Sequence, residues 1–313
     1  MKKPEFSPSA LQHVYQRAVD KGVIFYTTED RIVYYTLASV KAKRHAVTVP
    51  AASLMFTHIH QSAQAHSLGE LRDYLHDVDT AFSRRYNNRY RREGRLFDKP
   101  AGMAQKSSLK SKKSNLIYVY NNHVEKRLCT SAAQERWSLV AYAFSDHPFS
   151  EKIDPGEASG TLKKAMRLVD RRLKKLKPLG YDDLDKILPQ LDGKEGEQFI
   201  DYVISRYRWV DFDAAAAHFG SLDAMMTALD STTGGEYDIR EEHTNLPDTP
   251  YRELVAMVKD QGLLGQIYTM GAGQLDELIW LAARARAGAG AGASAAAFAT
   301  RHHIESFFHL PRR

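Results

Sequence analysis

The chain has 313 residues, 43% of them apolar and 26% charged, which describes a folded polypeptide long enough for two domains and excludes disorder as its main state. No run approaches the roughly 18 consecutive apolar residues of a membrane span, and the segment after Met1 lacks the apolar stretch of a secretory signal, so neither is expected. The single cysteine, Cys129, excludes an internal disulfide and a cysteine-built zinc cluster, and a reducing, cytoplasmic setting fits.

The net charge of +6 is unevenly spread. Residues 82–127 hold 13 Lys/Arg against Glu93, Asp98 and Glu125, and residues 161–178 hold eight against Asp170 alone, so the remainder is net acidic. Charge gathered in this way points to a polyanion site. A solvated basic face is the plainer alternative for either window taken singly.

In chain order, Leu11 to Tyr26 reads as strand material, with Val14 and Tyr15 and then Val23-Ile24-Phe25-Tyr26. Thr27-Thr28-Glu29-Asp30 supplies a cap and early acids for a helix from about Asp30 to Arg44. Ala46–Val49 and Ala51 to about Ala63 read as two strands of a hairpin, with a turn or bulge at Pro50. Ser67-Leu68-Gly69-Glu70 is a capping box, followed by an apolar stripe of Leu71, Tyr74, Leu75, Val78 and Phe82. Gly94 is placed to stop that helix, and a short strand is expected around Ala101–Gln105. Ser114 is the expected cap of a further helix to Leu128, with Ile117, Tyr120, Val124 and Leu128 as its stripe.

Strand, helix, two strands, helix, strand, helix predicts an α+β chain: a ferredoxin-like antiparallel sheet with helices on one face and the other face open. Three parts are expected: a domain at 1–150, a basic helical linker at 151–180, and a helical accessory region at 181–313 that is a candidate for DNA binding. The acids Asp182, Asp183 and Asp185 mark a helix start, Thr232-Thr233-Gly234-Gly235 marks a turn, and the Ala/Gly tract at 287–297 breaks any helix there. The helices Leu275–Ala285 and Ala295–Phe308 on either side of that tract are candidates for a helix-turn-helix pair.

Two short patterns carry chemistry. In Thr57-His58-Ile59-His60 the strand alternation puts both imidazoles on one face, where two neutral rings can chelate a divalent cation. In Tyr118-Val119-Tyr120-Asn121-Asn122 the helical period sets Tyr118 and Asn122 one turn apart, a phenol beside an amide oxygen that can complete a metal site. Each pattern alone is also met as structural or surface residues.

Taken together and in order, these pieces resemble the single-tyrosine HUH transposases, most closely the REP-associated tyrosine transposases. The resemblance spans roughly residues 11–150. It rests on His13-Val14-Tyr15-Gln16-Arg17, Ile24-Phe25, Glu29-Asp30, Met55-Phe56-Thr57-His58-Ile59-His60, Tyr86-Asn87-Asn88-Arg89-Tyr90, Gly94-Arg95-Leu96-Phe97, the run from Tyr118 to Leu128, and Trp137-Ser138. The family pattern has Pro-Asn where Phe56-Thr57 stands and Pro where His123 stands.

The resemblance implies that Tyr118 is a nucleophile that cleaves single-stranded DNA, leaving a 5′-phosphotyrosine and a free 3′-hydroxyl that can be rejoined without ATP. It implies Mg²⁺ or Mn²⁺ on His58, His60 and Asn122, with zinc open by ligand type. It implies hairpin or palindromic DNA ends as partner, a monomer or homodimer, and a bacterial, nucleoid-associated location. The expected nucleic-acid contacts are Arg84, Arg85, Tyr86, Arg89, Tyr90, Arg92, Arg95, Lys106, Lys110, Lys112, Lys113, Lys126 and Arg127, cations for phosphates and rings for bases. The basic helix entering the C-terminal region extends that footprint. Two alternatives stand beside this reading: a catalytically silent or domesticated relative that binds DNA or RNA, and a metal-dependent nuclease in which water replaces Tyr118.

Overall fold

A computed structural model describes residues 6–98, 101–231, 246–288 (side chains to 282) and 300–309. The turn expected at Thr232-Thr233-Gly234-Gly235 and the Ala/Gly tract beyond Gly288 lie outside these residues. The first part runs β1 (Leu11–Arg17), α1 (Thr28–Arg44), β2 (Thr48–Leu54), β3 (His58–Gln64), α2 (Leu68–Tyr90), β4 (Gly102–Lys106) and α3 (Leu109–Glu125). The four strands form one sheet in the order β2-β3-β1-β4, every pair antiparallel. This is the ferredoxin-like α+β arrangement expected from the sequence.

Local chemistry explains the element ends. Thr27 and Asp30 form a reciprocal capping box at α1, as do Ser67 and Glu70 at α2. Pro50, lacking an N–H, sits inside β2 where the pairing with β3 shifts register between Thr48 and Ala51. The hairpin therefore turns at Met55–Thr57, with Pro50 as its bulge. Arg91 ends α2 in the left-handed region, ahead of Gly94. The α3 cap is Ser108, whose hydroxyl accepts from Ser111 N at 3.1 Å, so the helix starts six residues before the expected Ser114. Val23–Tyr26 is a buried irregular segment; Ile24 and Phe25 both donate to the Phe56 carbonyl, at 2.7 and 3.2 Å.

Helices α1 and α2 cover one face of the sheet, where Val14, Ile59 and Ala63 meet Leu71, Tyr74 and Phe82. The other face is not open. Helix α3 lies on it, with Leu116, Val119 and Tyr120 against Leu11 and Ala51. The alternation of the strands explains the difference: Leu11, His13, Ala51, Ser53, His60 and Ser62 form a second buried face that must be covered.

The remainder is helical: α4 (Gly160–Lys174), α5 (Tyr181–Ile187), α6 (Gly193–Tyr207), α7 (Phe212–Ala216), α8 (Leu222–Ser231), α9 (Thr249–Asp260), α10 (Ala272–Gly288) and α11 (Arg301–Phe307). Asp182, Asp183 and Asp185 fall in α5, the first two in its opening turn. Helices α4–α6 share one hydrophobic core with α1 and α2, and α1 is buried around nearly its whole circumference. Among the described residues no helix is long and apolar enough to cross a membrane.

Candidate functional site

Two strands and one helix bring the site together. His58 and His60 alternate with Ile59 on β3, so both rings face α3. Their centroids are 4.9 Å apart with the ring planes perpendicular. The ring of Tyr118 stands edge-on to His60 at 5.3 Å. The pairing of β1 with β3 sets Tyr15 opposite His60 and His13 opposite Ser62, so both β1 side chains join the cluster. Tyr15 lies 4.9 Å from His60 and 5.6 Å from His58; His13 lies 5.3 Å from His60 and 5.5 Å from Tyr118. Asn122, one turn beyond Tyr118, is buried and donates to the Tyr118 carbonyl at 3.2 Å.

Both imidazoles are held at Nδ1. His58 Nδ1 lies 2.8 Å from Thr57 Oγ1, and His60 Nδ1 lies 3.4 Å from His13 Nε2. His13 Nδ1 is in turn 2.5 Å from Asn115 Nδ2, and the Asn115 carbonyl oxygen accepts from Ser62. The result is a buried relay, Ser62–Asn115–His13–His60. A metal-binding histidine characteristically has its second nitrogen tied in this way, which orients the ring and fixes the tautomer. With the Asn115 amide turned, His60 Nδ1 donates to His13 Nε2 and His13 Nδ1 to Asn115 Oδ1, the tautomer in which His60 would offer Nε2 to a cation. Two imidazoles on one buried face, with a buried amide one turn beyond Tyr118, are donors of the type that a divalent cation takes.

The residues that depart from the family pattern are all engaged. Thr57 holds His58. Phe56 carries the Arg31 guanidinium at 4.7 Å on its ring and meets the Tyr251 ring at 5.5 Å. His123 is buried, with its Nδ1 3.2 Å from Ser53 Oγ, and burial pushes its imidazole down to about 4. Glu125 is exposed at the end of α3.

The C-terminal region closes over this end of the sheet. Asp248 N donates to Lys126 O at 3.0 Å, and His303 Nε2 lies 2.7 Å from Pro247 O. A cleft of about 30 Å³ reaches His58 between Arg17, Lys21, Lys126, Asp248 and Tyr251. Burial pushes the Asp248 carboxyl up to about 6 against the pull of Lys126 and Arg31. Tyr118 is 1% exposed and His60 0%.

The expected nucleic-acid contacts divide. Arg84, Arg95, Lys110 and Arg127 are exposed, and Lys106 is half-buried. Arg85 is half-buried, with its guanidinium pKa lowered by desolvation and by Arg84. Arg89 pairs with Asp185 at 2.6 Å, Arg92 donates to Asn87 Oδ1 at 3.1 Å, Lys112 donates to Ser9 O at 2.6 Å, and Lys113 lies 5.5 Å over the Phe219 ring. Lys126 is buried beside Leu246.

Tyr86 and Tyr90 correct the expectation of exposed stacking rings. Both are core residues: the Tyr86 hydroxyl meets that of Tyr268 at 3.2 Å, and the Tyr90 hydroxyl donates to Asp30. Neither ring has a face left for a base. The segment Leu96–Asp98 runs beside the end of β1, with Asp98 N bonded to Arg17 O at 3.1 Å, so the basic run after α2 and His58 sit at the same end of the sheet. His13, Asn115 and Ser62 were not among the expected site residues. Their role depends on strand register and on the packing of α3, and only the His-Val-Tyr run pointed toward β1.

No family model matches the chain, and no curated protein matches it. Among solved structures it is similar to one described as "Structure of the REP associates tyrosine transposase bound to a REP hairpin", at 10% identity and a TM-score of 0.39. The match covers 51% of this chain and 96% of that one. A likeness that loose carries no weight for chemistry, which rests on the residues themselves.

Proposed function

We propose that this protein cleaves and rejoins single-stranded DNA through Tyr118, with Mg²⁺ or Mn²⁺ held by His58, His60 and Asn122. The observation that carries the reading is the packing of the Tyr118 ring edge-on against His60, itself beside His58, on one buried face. A cation bound there polarises a non-bridging phosphate oxygen and offsets the charge that repels a nucleophile.

The chain supplies the remainder. Tyr118 Oη forms a bond to phosphorus as the bond from phosphorus to the 3′ oxygen breaks. The phenolic proton departs and the 3′ oxygen gains one, so proton count and charge balance. A 3′-hydroxyl attacking the phosphotyrosine reverses the step, so the bond is exchanged, not hydrolysed. The relay through His13 holds the His60 ring while this happens. Exposed Arg84, Arg95 and Lys110 offer phosphate contacts along the strand.

A second reading, a strand-binding protein that no longer cleaves, is favoured by the burial of Tyr118 beneath the C-terminal region. Covalent capture separates the two. Purified protein is mixed with labelled single-stranded hairpin DNA and Mn²⁺ or Mg²⁺, beside Tyr118→Phe. A denaturant-resistant adduct that needs the metal and disappears in the variant is expected. Strand binding without an adduct establishes the second reading, and metal-dependent cutting that survives Tyr118→Phe assigns attack to water.

A further inference from the structure

A cavity of about 240 Å³ opens between the first turn of α1, the Met55–Thr57 turn of the hairpin and α9, and Arg31 lines it. Arg31 is 8% exposed. Among the described residues its guanidinium makes no ion pair and no hydrogen bond, and its Nε is buried without an acceptor. Three rings surround it instead: Phe56 at 4.7 Å, Phe25 at 5.5 Å and Trp137 at 5.7 Å. Aromatic faces offset part of the cost of burying a cation, but they leave its five N–H donors without an oxygen. Burial pulls the guanidinium pKa down only to about 10, so at neutral pH the charge remains. A charged donor held in this way against an open space lacks an anion.

The acids around it are engaged elsewhere. The Asp30 carboxylate accepts from Tyr26, Thr27, Tyr90 and Tyr181, and Asp248 lines the neighbouring cleft with Lys126. Glu135, in the cavity wall, is paired with Arg252 of α9. Arg252 is exposed and lines the same cavity, so the wall holds two guanidiniums, one deep and one at the mouth, against one carboxylate. One guanidinium fork fills a planar carboxylate, whereas a phosphate turns oxygens toward Arg31 and Arg252 together. The size agrees: the cavity is smaller than the roughly 300–1,000 Å³ of pockets that enclose a drug-sized ligand, which suits a phosphate group but not a whole nucleotide. So does the position. Phe56 stands two residues before His58, and His123, also in the wall, directly follows Asn122, so the cavity adjoins the Tyr118 site along both segments.

We infer that Arg31 and Arg252 bind a phosphate group in this cavity, either the phosphate of a DNA strand next to the one at Tyr118 or inorganic phosphate. The strand as its source rests on the strand-binding part of the proposed function; the site itself does not, and neither depends on cleavage. A strand phosphate held there sets the register in which its neighbour meets Tyr118.

The test uses the full chain without divalent metal, as parent, Arg31→Met and Arg252→Gln. Methionine fills the space among the rings without a charge, and melting temperatures close to the parent's in chloride show that the variants fold. In the first arm millimolar inorganic phosphate replaces chloride at constant ionic strength. It raises the parent's melting temperature, and the rise disappears in Arg31→Met and shrinks in Arg252→Gln. In the second arm a labelled oligothymidylate is titrated at several salt concentrations. Arg31→Met binds it about tenfold or more weakly, and log affinity against log salt is shallower by about 0.7, the loss of one phosphate contact on a single strand. Loss in the second arm, with or without the first, supports the strand as the source. Loss in the first arm alone keeps the site and assigns it to free phosphate. A folded Arg31→Met that matches the parent in both arms overturns the inference and leaves strand binding standing. If Arg31→Met does not fold, Arg252→Gln decides in its place, and its matching the parent in both arms overturns the inference. A parent that binds no strand overturns the strand-binding reading, and the first arm still decides the site; a parent that answers to neither strand nor phosphate overturns both.

Discussion

Asp30 offers the sharpest test of how the sheet and the C-terminal helices are joined. Its carboxylate is fully buried and accepts from four donors: the Tyr26 and Thr27 amides at 3.0 Å each, the Tyr90 hydroxyl at 2.9 and 3.1 Å, and the Tyr181 hydroxyl at 2.7 Å. Asp30→Ala strands these donors together. A buried donor left unpaired costs about 1–3 kcal/mol, and loss of the capping carboxylate about 1 kcal/mol more. Part of this is returned, because burial raises the Asp30 pKa against the pull of the same donors and the charge is itself costly to hold. The net expectation is a loss of about 3–4 kcal/mol, a large share of the roughly 5–15 kcal/mol that stabilises a typical domain. Urea unfolding followed by tryptophan fluorescence measures it, with Trp209 buried against Tyr34 and Tyr35 as a native reporter. Tyr181→Phe removes one of the stranded hydroxyls, so in that background Asp30→Ala should cost about 1–2 kcal/mol less. A loss below about 1 kcal/mol, or strict additivity of the two substitutions, would show that the hydroxyls find other partners and would refute the reasoning.

The site and the chain's far end give two further tests. His13→Ala should lower Mn²⁺ affinity by about 10- to 100-fold, read by calorimetric titration, because the ring that orients His60 is gone; unchanged affinity would remove His13 from the site. A Cβ at Gly22 would lie 2.3 Å from His309 Cε1, so Gly22→Ala must displace the imidazole from its 2.7 Å contact with the Tyr26 hydroxyl, at about 1 kcal/mol by chemical denaturation. Burial pushes His309 down to about 4, with Arg92 adding to the effect. Its folded pKa is thus below its unfolded one, and its contribution is present above about pH 6.5 and lost as the pH falls toward 4. Melting temperatures of Gly22→Ala should accordingly fall less steeply than the parent's between pH 6.5 and 4, and parallel curves would count against that assignment.

What could be read from the sequence was mostly local. The caps at Thr27 and Ser67, the stripe from Leu71 to Phe82, the bulge at Pro50 and the alternation of His58 with His60 each depend on residues within a turn or a strand of one another. What escaped was settled by distant chain. Tyr86 and Tyr90 read as surface rings among arginines, yet Tyr268 and Tyr181, from the opposite half of the molecule, enclose them. His13 enters the site because β1 pairs with β3 in one register and α3 brings Asn115 over both. Ser108 and Ser114 both precede helix-forming sequence, so the earlier start of α3 was not separable by cap chemistry alone.

Helix α1 is enclosed by partners that the ribosome delivers at very different times. Its side toward β2 is covered once the first hairpin exists, but Tyr35 donates to Ile204 O and Ser39 to Tyr207 O, both in α6. At roughly 5–20 residues per second, some ten to thirty seconds separate the emergence of α1 from that of its last partner. Throughout that interval Tyr35 and Ser39 are without their native partners on a nascent chain. The second half of the protein therefore has a duty that precedes any contact with a ligand: it completes a helix that was made first and finished last.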